Sequence, residues 1–168
     1  MRIYKKLKLA IVGFGFVGKA TDQGFNKSVI KYIVDPLLDT SISDLKDFQP
    51  EIVFICVPTP MNDDGSQDAT IITSVTNDLS KYCPKAIKVV KSTVLPSILD
   101  ELKVIDANLI YNPEFLREKH ANFDFIKSDM IIFGGDRNVS SQVSVLILDT
   151  LNARLKNIFL LTLKQHLL

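Results

Sequence analysis

Short apolar runs rich in β-branched residues alternate along the chain with longer stretches in which apolar positions recur every three or four residues. The runs are LKLAIVGF (7–14), IKYIVD (30–35), EIVFICV (51–57), AIKVVKS (86–92), NLIY (108–111) and DMIIFGG (129–135). Each is nearly continuous, as a strand covered on both faces requires, so together they predict a mainly parallel sheet of about six strands. Between them Ile71, Ile72, Val75 and Leu79, and later Val139, Val143, Leu146, Ile147 and Leu151, repeat at helical spacing. Helices are therefore expected on both faces, in an α/β, doubly wound arrangement. The closing stretch ARLKNIFLLTLKQHLL is ambiguous, with Asn157 to Leu161 as one more candidate strand.

Composition narrows the function classes. The 168 residues fit a single domain, with 156–168 as a tail of uncertain structure. A net charge of +1 gives no field to draw nucleic acid or an anionic membrane, and neither is expected as a partner. No apolar run approaches the roughly 18–20 residues that span a bilayer. The basic start MRIYKKLK leads into a run broken by glycines, without a cleavage pattern. Two cysteines, Cys56 and Cys83, make no disulfide framework, so a reducing cytoplasm is the expected setting. Neither they nor His120 and His166 show zinc-ligand spacing. The acids Asp63, Asp64 and Asp68 surround Gly65, but a calcium loop centred there would begin at Pro60 and lack its closing glutamate. No metal is predicted.

The chemistry concentrates where strands end. Gly13, Gly15 and Gly18 form G-x-G-x-x-G in VGFGFVGKA, directly after the first strand and at the start of a helix. In that context the first glycine makes the turn, the second lets a pyrophosphate approach, the third lets helix pack on strand, and the helix N-terminus receives the anion. Phe14, Phe16 and Val17 complete the turn. Asp35 closes the second strand, where an acid hydrogen-bonds both hydroxyls of an adenosine ribose. An acid there repels a 2′-phosphate, so a Rossmann-type domain selecting NAD over NADP is expected. Adenosylmethionine methyltransferases share a glycine-rich turn and a second-strand acid, and they stand as the rival.

Three further segments follow later strands. PTPMNDDGSQD (58–68) lies after the third, stiffened by Pro58 and Pro60. KSTV (91–94) closes the fourth, which is expected beside the switch point, with Ser92 and Thr93 toward the nicotinamide end. YNPEFLREKHANF (111–123) runs from a strand into a helix, with Asn112 as N-cap, Pro113 in the first turn, and Glu114 and Glu118 one turn apart on one face.

GFGFVG, the acid Asp35, CVPTP, KSTV and NPEFLRE occur in the order and approximate spacing of the UDP-glucose/GDP-mannose dehydrogenases, in their N-terminal NAD-binding domain. The resemblance covers about residues 7 to 135, and NPEFLRE after STV is its most specific part. It implies oxidation of the primary alcohol of a nucleotide sugar (UDP-glucose or GDP-mannose class) to a carboxylate in two NAD-dependent steps. By the same resemblance Glu114 supports proton handling through water and Thr93 positions that water. Glu118 contacts the nicotinamide half, and Val57, Pro58, Thr59 and Pro60 lie along the adenine-ribose side. The family's nucleophilic cysteine, with its lysine, asparagine and aspartate, comes from a part of the chain beyond this sequence, and neither Cys56 nor Cys83 resembles it. No arginine follows Asp35 closely, and the family's dimer helix is absent, which leaves oligomeric state unread. The expectation is NAD binding without complete oxidation by this chain alone, or a non-catalytic module that binds NAD or pairs with a separately encoded catalytic half.

Overall fold

The computed structural model describes residues 6–113, 130–148, 150–151 and 157–161. Strands β1 (Lys8–Val12), β2 (Ile30–Val34), β3 (Ile52–Ile55), β4 (Ile87–Val90), β5 (Leu109–Tyr111), β6 (Met130–Gly134) and β7 (Asn157–Leu161) form a seven-stranded sheet ordered β2-β1-β3-β4-β5-β6-β7. Every pairing is parallel except β5 with β6, which meet antiparallel at Tyr111 and Gly134. The ambiguous candidate at Asn157 to Leu161 is thus a strand, paired along its length with β6. The strands are shorter than the apolar runs because the runs continue into turns. At the end of β1, Gly13 takes φ of 90° and donates its amide to the Val34 carbonyl at 2.8 Å.

Helices α1 (Phe16–Gly24), α2 (Leu45–Phe48), α3 (Thr70–Tyr82), α4 (Pro96–Ile105) and α5 (Arg137–Leu148) cover both faces. Successive strand residues point to opposite sides, and each side has its own core. On one, Ala10, Val12, Val53, Ile55 and Val90 meet Leu45 of α2, Ile72 and Leu79 of α3, and Leu99 and Leu102 of α4. On the other, Leu9, Ile11, Phe54, Val89 and Ile110 meet Phe25, which follows α1, and Val143 and Ile147 of α5. Each such aliphatic side chain stabilises the fold by about 1.5–3 kcal/mol through burial. The inward residues of α1 are small, namely Gly18, Ala20, Thr21 and Gly24, and that lets the helix lie close to the sheet at the glycine turn.

The predicted helix faces are right in phase with local exceptions. In α3, Ile72 and Leu79 are fully buried, Ile71 is exposed, and Thr76 takes a core position by donating its hydroxyl to the Ile72 carbonyl at 2.8 Å. Leu151 lies beyond α5 and forms an isolated bridge with Phe25.

Strand order corrects one expectation. After β2 the chain passes through two 3-10 turns (Pro36–Leu38 and Ile42–Asp44) and α2, then re-enters the sheet across β1. The winding reverses between β1 and β3, so the switch point lies there, with β4 one strand further out.

Candidate functional site

A cleft of about 610 Å³ opens at the carboxyl ends of β1, β3 and β4, within the usual size range of small-molecule sites. Its floor is the glycine turn, and the three glycines are there for different reasons. A Cβ on Gly13 would meet the Cys56 carbonyl oxygen at 2.7 Å, and one on Gly18 would lie 2.0 Å from the Gly13 oxygen. Those two positions are dictated by the protein's own packing. Gly15 has φ of −70°, and a Cβ there would meet nothing within 4 Å. The fold does not require that glycine; open space above it does, in front of a helix N-terminus whose cap makes no side-chain hydrogen bond. Amides opening α1 with space before them suit a pyrophosphate.

Asp35 stands beside this turn. Its Oδ2 accepts from the Phe14 amide at 2.6 Å and its Oδ1 from the Leu37 amide at 2.9 Å, so the carboxylate is held over the glycine loop. A carboxylate has about four lone-pair sites, and two are used here, which leaves acceptors for a ribose diol. Leu37, almost wholly exposed, forms an apolar lip at the same end.

The other end is assembled from segments distant in sequence. Ser92 is buried and donates its hydroxyl to the Val57 carbonyl at 2.6 Å. The Thr93 carbonyl accepts from Thr59 Oγ1 and Gln67 Nε2, each at 2.8 Å, while Gln67 Oε1 accepts from the Leu95 amide at 2.9 Å. Gln67 thereby clasps the 93–95 turn onto the 58–68 loop. Two acids stiffen that loop: the Ser66 hydroxyl and amide lower the Asp64 carboxyl, and hydrogen bonds from Thr70 lower that of Asp68. Lys91 is buried and lines the cleft, its Nζ donating to Asn112 Oδ1 at 3.0 Å, while Asn112 Nδ2 donates to the Ile132 carbonyl at 2.9 Å.

Most of the residues singled out from the sequence line this one cleft: Gly13, Phe14, Gly15, Phe16, Val17, Asp35, Val57, Pro58, Thr59, Ser92 and Thr93. Gly18 lies beneath it, packed on Gly13. Pro60 is outside the lining, its carbonyl accepting from the Asp68 amide at 2.8 Å. Residues 57–60, expected on the adenine-ribose side, follow β3, across β1 from Asp35, because β3 lies on the other side of the switch. The side chain of Asn112 links Lys91, just after β4, to Ile132 of β6, and the helix it was expected to cap lies outside the described residues. Glu114, Glu118, His120 and His166 lie outside the described residues. Lys19, Leu37, Cys56 and Lys91 line the cleft and escaped the sequence reading. The register pairs Ile55 with Val90, so Cys56 and Lys91 follow on neighbouring strands; only the pairing reveals this. Cys83 stays inert, since burial pushes its thiol up more than the Lys88 ammonium draws it down. Among the described residues there is no cluster of three potential metal ligands. No described helix is long and apolar enough to cross a membrane.

A doubly wound sheet with an open-floored glycine turn and an acid on the next strand defines a dinucleotide-binding Rossmann-type domain. The model of the UDP-glucose/GDP-mannose dehydrogenase family, NAD binding domain, matches residues 37–152, and the chain belongs to this family. It is 35% identical over 112 residues to a UDP-glucose 6-dehydrogenase of Rickettsia typhi, covering 62% of this chain and 25% of that protein. A UDP-glucose 6-dehydrogenase of Haloferax volcanii is 31% identical over 129 residues, covering 67% of this chain and 30% of the relative. Among solved structures, a UDP-glucose dehydrogenase from Pyrobaculum islandicum superposes with a TM-score of 0.74 at 23% identity, over 96% of this chain and 48% of that one. The ternary complex of GDP-mannose dehydrogenase from Pseudomonas aeruginosa gives 0.69 at 22% identity, over 92% and 46%. These two likenesses are of fold, and the chain spans less than half the length of each of these four proteins.

Proposed function

We propose that this chain is the NAD-binding domain of a nucleotide-sugar 6-dehydrogenase acting on a UDP- or GDP-sugar, with residues 1–168 forming one domain and 156–168 lying where the family's second half begins. The observation that carries the reading is the convergence of the glycine turn, Asp35 and the 91–93 segment on one cleft. The bound cofactor supplies the hydride acceptor. Asp35 accepts from the adenosine ribose, the amides opening α1 hold the pyrophosphate, and Val57, Pro58, Thr59, Pro60 and Ser92 border the remainder. Thr93 and Glu114 position water and move the proton of the sugar alcohol, and Glu118 contacts the nicotinamide half. The chain by itself does not complete the oxidation. The nucleophilic cysteine region comes from sequence beyond these residues or from a separately encoded catalytic half, with a cytoplasmic setting and a role in supplying uronates for polysaccharide biosynthesis.

Calorimetric titration with NAD, NADP and adenosylmethionine tests this. NAD alone is expected to bind and to raise the melting temperature, by about 2.7 kcal/mol of added stability at a hundred times Kd. Adenosylmethionine binding in its place would make the domain a methyltransferase, and no binding of any of the three would end the cofactor reading. Sustained NADH formation from UDP-glucose by the isolated chain would refute its incompleteness.

A further inference from the structure

Two lysines three residues apart, Lys88 within β4 and Lys91 just after it, are both buried, at 0% and 3% exposed. Their odd separation sends them to opposite faces of the sheet. Lys88 Nζ lies 2.6 Å from Asp106 Oδ2 and donates to the Cys83 carbonyl, joining the C-terminal caps of α3 and α4. Its role is internal. Lys91 instead reaches the cleft, and its position is fixed: Nζ is held by Asn112, and Asn112 by the Ile132 carbonyl.

Strand order makes the cleft a line. Asp35 follows β2, Gly13 follows β1, Val57 comes after β3, and Lys91 to Thr93 follow β4. A dinucleotide with its ribose diol on Asp35 and its pyrophosphate before α1 directs its second ribose and base toward Lys91. The oxidised nicotinamide ring carries a positive charge and the reduced ring none. We propose that Lys91 is a specificity-determining residue for the oxidation state of the cofactor, opposing the cationic ring and favouring the neutral one. This rests on the NAD-binding reading above. Replacing the ammonium with a neutral side chain removes one positive charge from this end of the cleft. A unit charge about 8 Å away at an effective dielectric near 20 suffices for roughly a tenfold change in relative affinity.

The test is calorimetry of the full chain with NAD, NADH and ADP-ribose, the last lacking the ring. Lys91→Met is expected to lower the NADH-over-NAD affinity ratio roughly tenfold and to leave ADP-ribose within about twofold. Lys91→Arg keeps the ratio. Asn112→Asp sets an anion beside the intact ammonium and is expected to move the ratio in the same direction as Lys91→Met, which guards against misfolding of that variant. A ratio unmoved in both, a uniform loss across all three ligands, or unfolding of both variants would each overturn the proposal by making Lys91 merely structural. If the wild-type chain bound none of the three, the NAD reading itself would fall, an outcome distinct from a fixed ratio.

Discussion

The two ends of the cleft are built in different ways. At the β2 end, Gly13 to Gly18 and Asp35 come from one strand-turn-helix-strand unit, and the acid bonds the turn directly through the Phe14 amide. At the β4 end, Thr59 and Gln67, Lys91 and Thr93, and Asn112 come from three separate segments and are joined by side chains: Gln67 reaches 26 and 28 positions along the chain, and Lys91 reaches 21. One end is a local motif, whereas the other is a tertiary assembly. Substitutions at the first should therefore affect every ligand that carries an adenosine diphosphate. Those at the second should separate whole dinucleotides from ADP-ribose.

The largest expected effect is at Gly18. An alanine methyl would lie 2.0 Å from the Gly13 oxygen, so Gly18→Ala should destabilise the fold by about 3 kcal/mol in denaturant melts and abolish binding of all adenosine ligands. Gly15→Ala sharpens the point: with nothing within 4 Å the fold should keep its stability, while NAD and ADP-ribose lose affinity together, about tenfold or more. A comparable loss is expected at a buried ion pair that belongs to neither end. Lys88 Nζ and Asp106 Oδ2 lie 2.6 Å apart without hydrogen-bond alignment, so they meet as charges, and Asp106→Ala should destabilise by about 3 kcal/mol without changing ligand preference.

Smaller effects follow at the assembled end. Gln67→Ala releases the 93–95 turn and should lower stability by about 1 kcal/mol, weakening NAD several-fold while sparing ADP-ribose; equal loss of both would erase the distinction between the ends. The smallest effect is with pH. Hydrogen bonds from Thr70 hold the Asp68 carboxyl below the usual carboxylate range, so its contribution is fully present above that range and is lost as pH falls through the lower folded value. A melting series run from pH 5 to about pH 2 should show Thr70→Val flattening that acid limb.

The same contrast explains what the sequence disclosed. The glycine spacing, the acid at Asp35 and the apolar runs are local signals, and each corresponds to an observed turn, cap or strand. Lys91 and Lys88 look alike in AIKVVKS, and only sheet pairing and helix ends assign one to the cleft and the other to Asp106. Gln67 and Cys56 had no local signal at all, since their meaning comes from the neighbours that β3 and β4 acquire on pairing. The place of residues 57–60 relative to Asp35 was likewise not local, because strand order is a property of the whole sheet.

The most direct measurement is an amide-resolved NMR titration of the chain with ADP-ribose and then NAD. Shifts are expected for both ligands at Phe14 to Val17 and at Asp35 and Leu37, with further shifts at Val57, Thr59, Ser92 and Thr93 for NAD alone. Shifts confined to residues outside the cleft, or an unchanged glycine turn at saturation, would sink the NAD-binding reading.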